Sequence, residues 1–202
     1  MSKKAILYLS FFILIAVGFY FGLTMLIPGF GKVTIPRVSY VRPFSFKTQD
    51  GTVLTDKDML GKVNVAEFFF TTCPGICKTM NTNMRQVYDQ MKGEKDFRIL
   101  SYTCDPEVDS VQQLKQYADS MNVNTAKWIF LTGRKDSLYN MARISYVIDD
   151  PKNNLKDIND DFLHTQNWAL VDKNGDVKKI YDGLKQDEID DMIRDAKKLL
   201  KE

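Results

Sequence analysis

The longest apolar stretch of the chain covers residues 5–27, 23 residues without a charge that directly follow Lys3 and Lys4. A helix of this length rises about 1.5 Å per residue and crosses a bilayer core of about 30 Å. We interpret residues 1–27 as a cytoplasmic tip and a transmembrane anchor. A cleaved signal peptide is the alternative, but its apolar region usually has about 7 to 15 residues and ends at a small-residue cleavage site, which this stretch lacks.

The pattern changes after residue 27. Residues 28–39 contain prolines and glycines without sustained periodicity, and we expect them to form an extended linker. Residues 40–202 alternate between strand-like and helix-like spacing, and they are numerous enough for one domain with its own hydrophobic core.

The spacing predicts a strand-helix alternation within this domain. In chain order the predicted elements are a hairpin at residues 44–55, a strand at 62–72, a helix beyond the cysteines that follow it, a strand at 97–104, a helix at 110–121, a strand at 128–131, a helix at 135–145, a hairpin with an Asn-Gly turn at 168–183, and a final helix to Leu200 capped by Asp187. Such an order is typical of parallel strands joined by crossover helices. The predicted fold class is therefore α/β, thioredoxin-like, with an N-terminal transmembrane anchor and added β-hairpins.

Composition narrows the function classes. The formal net charge is +2 and the lysines are scattered rather than collected into a basic patch, so we expect no nucleic-acid partner. The chain has three cysteines, an odd number that cannot be fully paired within one molecule, and 44% hydrophobic residues with which to build a core. A fold held together mainly by disulfides is therefore a poor interpretation.

The chemistry-bearing residues are Cys73 and Cys77, which stand four apart between the predicted strand at 62–72 and the helix after it. If Cys77 opens the helix and Cys73 closes the loop, both sulfurs can point at one small ion, and the helix N-terminus favours the thiolate form. The pair can equally form a disulfide within a small ring. A buried, inert thiol is the alternative for each cysteine taken alone.

His164 is the only histidine of the chain. A single histidine is more often a satisfied core or surface residue than a ligand. In a thioredoxin-like sheet, however, the segment entering the C-terminal hairpin passes beside the redox loop. Two thiolates and one imidazole suit copper or zinc and leave a coordination position open.

These residues resemble the Sco/SenC proteins, which are membrane-anchored, thioredoxin-like copper proteins needed to assemble the dinuclear copper centre of cytochrome c oxidase. The resemblance covers residues 41–198, through the segments FFFTTCPGIC, SYTCDPEVDS, WIFLTG and HTQNWALVDKNGDVKKIYDG. It implies that Cys73, Cys77 and His164 bind copper, as Cu(I), Cu(II) or both, and that Asp105 belongs to a loop near the site. The implied partners are the copper-bearing oxidase subunit or another copper or thiol protein.

Three positions depart from the family pattern. Lys78 replaces a common proline, Phe162 and Leu163 replace the usual acidic approach to the histidine, and Cys104 stands where an apolar residue is expected. Cys104 ends a strand that should lie beside the strand carrying the thiol loop. We expect either a small buried hydrophobe or a third thiol able to form a disulfide with one loop cysteine.

Three functions follow from these residues. Copper delivery is the first, and a thiol-disulfide oxidoreductase that carries no copper is the second, with one loop cysteine attacking a partner disulfide and the other resolving it. A peroxidase is the third, although Phe70 stands where peroxiredoxins usually place threonine. The absence of an Arg-rich and Ser-rich transit sequence favours a bacterial inner membrane, with the soluble domain in the periplasm or otherwise outside the cytoplasm.

Overall fold

The computed structural model describes residues 2–27, 30, 35–149, 163 and 165–202 of the 202-residue chain. It divides into two compact units, Met1–Ile35 and Pro36–Glu202. The first unit contains helix α1 (Lys3–Leu26), which begins after Ser2, whose side chain accepts a hydrogen bond from the Ala5 backbone N–H. In the described part of the chain, α1 is the one helix that is long and apolar enough to cross a membrane.

The second unit is built on a mixed sheet, which has eight strands within the described residues. In chain order they are β1 (Ser39–Tyr40), β2 (Ser45–Thr48), β3 (Val53–Thr55), β4 (Val63–Phe69), β5 (Phe97–Thr103), β6 (Trp128–Thr132), β7 (Asn167–Val171) and β8 (Asp176–Asp182). They lie side by side in the order β1-β8-β7-β4-β5-β6-β2-β3. Neighbours β4, β5 and β6 are parallel and the other pairs are antiparallel, which confirms the predicted parallel core and both hairpins.

The helices cover both faces of this sheet. They are α2 (Ile76–Met91), α3 (Val111–Met121), α4 (Lys135–Asn140), which continues as a π-helical turn at Met141–Tyr146, and α5 (Gln186–Lys201). Because side chains alternate along a strand, β4 presents Phe68 to one face and Phe69 to the other. Phe68 packs in a cluster with Tyr139 of α4, whereas the ring of Phe69 contacts Tyr117 of α3.

The predicted Asn-Gly turn of the second hairpin is confirmed, since Asn174 and Gly175 lie in the four-residue link between β7 and β8. Three other features differ from the sequence prediction. The sheet already includes Ser39, which pairs with Val177, so the fold begins before residue 40. The helix predicted at 135–145 changes to π-helical geometry after Asn140. The assignment of Asp187 as a helix cap is wrong: Lys185 is the N-cap residue, and Asp187 lies in the first turn, where its charge still favours the positive end of the helix.

Candidate metal centre

Cys73 and Cys77 lie where β4 passes into α2. The strand ends at Phe69, the loop of residues 70–75 carries Cys73, and the helix begins at Ile76 after Gly75, its N-cap residue. The Cys73 backbone N–H donates to the Phe70 carbonyl at 3.3 Å. Cys73 therefore lies in the loop and Cys77 is the second residue of the helix, which is the placement predicted from the sequence. The structure has both cysteines, and also Cys104, as free thiols.

The two thiols have opposite pKa shifts although they are hydrogen-bonded to each other. Burial raises the pKa of Cys73, but hydrogen bonds from the Cys77 thiol and from the backbone N–H groups of Gly75 and Cys77 outweigh it and lower that pKa overall. Burial, together with the proton that Cys77 shares with Cys73, raises the pKa of Cys77 to about 12. The expectation that the helix N-terminus favours both thiolates thus holds for Cys73 and is wrong for Cys77, because burial dominates there.

Asp109 holds the loop against the end of β5. Its carboxylate is fully buried and accepts hydrogen bonds from the Thr71 backbone N–H at 3.1 Å, from the Thr71 hydroxyl and from the Thr103 hydroxyl. Thr71 is thereby turned out of the β4 ladder, which explains why the strand stops short of the predicted residue 72. The Asp105 backbone N–H donates to the same Thr103 hydroxyl, so the segment implied by the resemblance does lie beside this loop support.

A second buried carboxyl, Glu67, belongs to β4 itself. Its Oε1 accepts a hydrogen bond from Ser101 Oγ at 2.5 Å, and its Oε2 has no hydrogen-bond partner among the described residues. Burial raises the pKa of Glu67 to about 7. A negative charge on Glu67 also helps to raise the pKa of Cys77, so the two groups influence each other.

Cys104 follows β5 directly and lies next to the strand that leads into the thiol loop. Its backbone N–H donates to the Phe69 carbonyl at 2.7 Å, and its side chain is 2% exposed. Burial raises the pKa of the Cys104 thiol well above its ordinary value, and the charges of Cys77, Asp109 and Cys73 add to this effect. The predicted neighbourhood of Cys104 and the loop is therefore correct, and the thiol is a buried one.

His164 lies outside the described residues. The residues on either side of it are described: Leu163 is 2% exposed, and the Thr165 hydroxyl donates to the Ile148 carbonyl at 2.8 Å. Within the described residues, no three Cys, His, Asp or Glu side chains are grouped so as to hold a metal ion. Cys104 therefore does not complete a three-ligand set with the loop cysteines, and the sequence-predicted third ligand, His164, remains a prediction.

Two of the buried residues at this site were missed by the sequence analysis. The sequence could have indicated the unusual setting of Glu67, because a carboxyl within a strand as apolar as VNVAEFF must be neutral or paired once the strand is buried. No feature of the sequence indicated the role of Asp109, since its partners Thr71 and Thr103 are brought to it only by the pairing of β4 with β5.

Comparison with known proteins identifies the family. The family model described as SCO1/SenC matches residues 33–201. The chain belongs to the SCO1/SenC family. Among its SCO1/SenC relatives, the SCO1 protein homolog of Bacillus subtilis (strain 168) is 33% identical over 161 residues, which cover 78% of this chain and 81% of the relative.

Two solved SCO1/SenC structures show the same fold. BsSco, described as a member of the Sco family of cytochrome c oxidase assembly proteins with a disulfide switch, is 31% identical with a TM-score of 0.69, and the match covers 83% of this chain and 98% of that one. Arabidopsis thaliana ScoI, whose crystal structure has copper bound, is 27% identical with a TM-score of 0.61, and the match covers 79% of this chain and 99% of that one. These similarities confirm the thioredoxin-like α/β fold.

The departures from the SCO1/SenC pattern have different structural settings. Lys78 is exposed on the first turn of α2, so its replacement of a proline changes the surface beside the loop. Leu163 and Cys104 are both buried, so each contributes to the core. Phe162 lies outside the described residues.

Proposed function

We propose that this chain is a membrane-anchored copper chaperone that binds copper through Cys73, Cys77 and His164 and helps to assemble the copper centre of cytochrome c oxidase. The observation that carries the proposal is the pair of hydrogen-bonded thiols at the start of α2, in a chain of the SCO1/SenC family. Two relatives support it: BsSco is described as a cytochrome c oxidase assembly protein, and Arabidopsis thaliana ScoI was solved with copper bound.

The donor set fits the chemistry of copper. Thiolate sulfur is a soft ligand that favours Cu(I), and an imidazole nitrogen supports Cu(II) as well. Cys73 already has a lowered pKa, whereas the buried Cys77 must lose its proton when the metal binds. Copper loading should therefore release protons, and a disulfide between the two cysteines should prevent it because a disulfide offers no thiolate.

The remaining parts of the proposal concern location and partners. Helix α1 has 24 residues, which is long enough to anchor the chain as a single-pass protein of a bacterial inner membrane. Lys3 and Lys4 before the helix favour a cytoplasmic N-terminus, although Lys32, Arg37 and Arg42 follow the helix. With that orientation the folded unit would lie in the periplasm or otherwise outside the cytoplasm. The partner would be the copper-bearing oxidase subunit, or another copper or thiol protein, and donation would proceed by ligand exchange.

A second candidate function is thiol-disulfide exchange without copper, and the unequal pKa values of Cys73 and Cys77 favour it. The Cys73 thiolate would attack a partner disulfide and release one partner thiol. Cys77, after losing its proton, would then attack the mixed disulfide and release the second. The partner would be reduced by two electrons while Cys73 and Cys77 become a disulfide, in line with the disulfide switch described for BsSco.

Copper binding by the full chain in detergent tests the first function. The reduced chain should bind one copper ion, measured by metal analysis and competition with a chelator, and the oxidised chain should bind none. Cys73→Ser with Cys77→Ser should abolish binding, while Cys104→Ser serves as the matched control because it removes a thiol outside the ligand set. Stoichiometric binding by the double variant would overturn the assignment, and reduction of protein disulfides by a chain that binds no copper would favour the second function.

The histidine is tested separately. His164→Ala should weaken Cu(II) binding more than Cu(I) binding, because two thiolates alone still hold Cu(I). Equal loss of both oxidation states would contradict the role proposed for His164.

A further inference from the structure

The carboxylate of Asp109 ties the thiol loop to the strand beside it. It is fully buried and accepts hydrogen bonds from the Thr71 backbone N–H at 3.1 Å, from the Thr71 hydroxyl and from the hydroxyl of Thr103, the last residue of β5. Cys73 follows Thr71 by two residues. The contact is therefore made within the loop of residues 70–75, close to its reactive sulfur.

Asp109 is itself held in place by the segment to which it belongs. Its backbone N–H donates to the Asp105 carbonyl at 2.8 Å, and the Asp105 backbone N–H donates to the Thr103 hydroxyl at 2.9 Å. The next residue, Ser110, is the N-cap of α3, and its side chain accepts a hydrogen bond from the Gln113 backbone N–H at 3.2 Å. A closed turn and a capped helix start thus hold the carboxylate at a fixed place, from which it restrains the loop.

The side chain of Gln113 also reaches Thr71, and it does so from α3. Its Nε2 donates to the Thr71 hydroxyl at 3.4 Å, while that hydroxyl donates to Asp109. Cys77 belongs to α2, so the helix fixes its position. Cys73 lies in the loop instead, and its freedom to move relative to Cys77 depends on how firmly Thr71 is held.

We propose that Asp109 is a positioning residue for the thiol pair: through Thr71 it holds Cys73 beside Cys77, and it thereby favours both disulfide formation and Cu(I) binding by the pair. This inference rests on the proposed function, and it gives Asp109 no ligand or redox role of its own. Two groups that are already held close lose less conformational entropy when they bond to each other or to the same ion.

Disulfide formation by the pair can be measured against a defined oxidant. Oxidised dithiothreitol takes two electrons and two protons from the Cys73 and Cys77 thiols, so one S–S bond forms in the chain and one is broken in the reagent. The equilibrium constant of this exchange measures how well the chain presents its two thiols to each other. A looser loop lowers the constant, and a tenfold fall corresponds to a reduction potential about 30 mV less negative.

Asp109→Asn in the full chain, purified in detergent, tests the inference. Asparagine has nearly the same shape, but its NH2 group is a donor and cannot accept from the three donors that face the carboxylate. Glu107→Gln removes a negative charge at an exposed position of the same segment and is the matched control for charge. Tyr146→Phe removes a buried hydroxyl that is hydrogen-bonded to Tyr102 at 2.7 Å, and it is the control for a loss of stability elsewhere in the core.

We expect Asp109→Asn to lower the equilibrium constant for disulfide formation by about tenfold. Cu(I) affinity, measured by competition with a Cu(I) chelator, should fall by about 10- to 100-fold, as is typical when outer-shell support of a metal ligand is lost. Glu107→Gln and Tyr146→Phe should leave both quantities unchanged, although Tyr146→Phe lowers the free energy of unfolding. Unchanged values in Asp109→Asn, or an equal change in Tyr146→Phe, would overturn the inference.

Substitutions of Thr71 keep the test decisive if Asp109→Asn does not fold. Thr71→Ser retains the hydroxyl and should keep the equilibrium constant of the unaltered chain. Thr71→Val retains the shape without the hydroxyl and should lower the constant, as Asp109→Asn does. The double variant should lose less than the sum of the two single losses, because both substitutions remove the same hydrogen bond. Equal constants in Thr71→Ser and Thr71→Val would contradict the role of Asp109.

Failure of the proposed function has a different result. In that case the unaltered chain binds no copper. Failure of this inference alone leaves a chain whose Cu(I) binding is lost in the variant with Cys73→Ser and Cys77→Ser and is unchanged in Asp109→Asn.

Discussion

The Cys77 thiol donates a hydrogen bond to the Cys73 sulfur, and this contact adds to the effect of burial in raising the pKa of Cys77 while it helps to lower the pKa of Cys73. Cys73 is partly exposed in the loop, whereas Cys77 is buried at the start of α2. Two cysteines that are equivalent in the sequence motif are therefore different in chemistry. Cys73 is the more acidic of the two thiols, and we expect it to react first.

We predict that iodoacetamide modifies Cys73 before Cys77 in the reduced, copper-free chain at pH 7. The thiolate is the reacting form, and its fraction falls about tenfold for each unit by which the pH lies below the pKa. Mass spectrometry of peptides from a time course measures both rates. Cys77→Ala provides a check on the cause: it removes the hydrogen-bond donor to Cys73 and should shift the pH profile of Cys73 alkylation upward. Faster modification of Cys77 would contradict the prediction that Cys73 is the more reactive thiol.

Glu67 gives the folded state a specific pH dependence. Its pKa rises from an ordinary 4.5 to about 7 because the carboxyl is buried. Below pH 4.5 the carboxyl is protonated in both states, and its contribution to stability is then fully present. Between pH 4.5 and 7 the unfolded chain releases the proton while the folded chain keeps it, so the free energy of unfolding falls as pH rises, by about 3 kcal/mol in total.

Glu67→Gln should remove this dependence, because glutamine is uncharged and still offers an oxygen to the Ser101 hydroxyl. We predict that the variant is more stable than the unaltered chain at pH 8 and that the difference becomes small near pH 4. Denaturant unfolding of the reduced, copper-free chain at several pH values measures it. Glu107→Gln, at an exposed position, is the control and should leave the pH dependence of the free energy of unfolding unchanged. If the free energy of unfolding had the same pH dependence in the unaltered chain and in Glu67→Gln, the raised pKa of Glu67 would be contradicted.

The fold could be predicted because its main elements have strong local patterns. The apolar run that becomes β4 and the amphipathic spacing of α2 identify a strand followed by a helix, and repetition of that order indicates a parallel sheet. The change from α4 to π-helical geometry at Met141 could not be predicted from the spacing of hydrophobic residues. The neighbourhood of Cys73 and Cys77 could be predicted for a similar reason, since their separation of four residues is a local feature.

The rest of the site depends on contacts between distant segments. Ser101 is 34 residues from Glu67, and Asp109 is 38 residues from Thr71, so neither hydrogen bond has a local sequence signal. The unequal acidity of Cys73 and Cys77 was also missed, because it arises from burial of one sulfur rather than from its position on the helix.

Asp109 should be more important for the loop than its distance in sequence from Cys73 indicates. Asp109→Ala would leave the Thr71 backbone N–H and two hydroxyls without their acceptor in a buried position. We predict a loss of about 2 to 3 kcal/mol in the free energy of unfolding, and faster hydrogen exchange at the Thr71 amide. Glu107→Ala, an exposed change in the same segment, should cost less than about 0.5 kcal/mol. Equal effects of the two substitutions would show that Asp109 does not hold the loop.

Cys104 provides the last prediction. Cys104 lies beside the strand that leads into the thiol loop, but its burial argues against a disulfide with Cys73 or Cys77. The thiolate is the species that attacks a disulfide, and burial raises the pKa of Cys104 well above its ordinary value. We predict that mild oxidation of the copper-free chain yields the bridge between Cys73 and Cys77 while Cys104 remains reduced.

Peptide mapping of the oxidised chain, with free thiols blocked before digestion, distinguishes the three possible bridges. Cys104→Ala should leave the copper stoichiometry and the reduction potential of the loop pair unchanged, because its side chain contributes packing rather than a ligand. A bridge from Cys104 to either loop cysteine, in an amount comparable to the bridge within the loop, would show that the 2% exposed side chain becomes accessible during oxidation. In that case Cys104 would belong to the redox chemistry of this chain, and its departure from the family pattern would have a functional consequence.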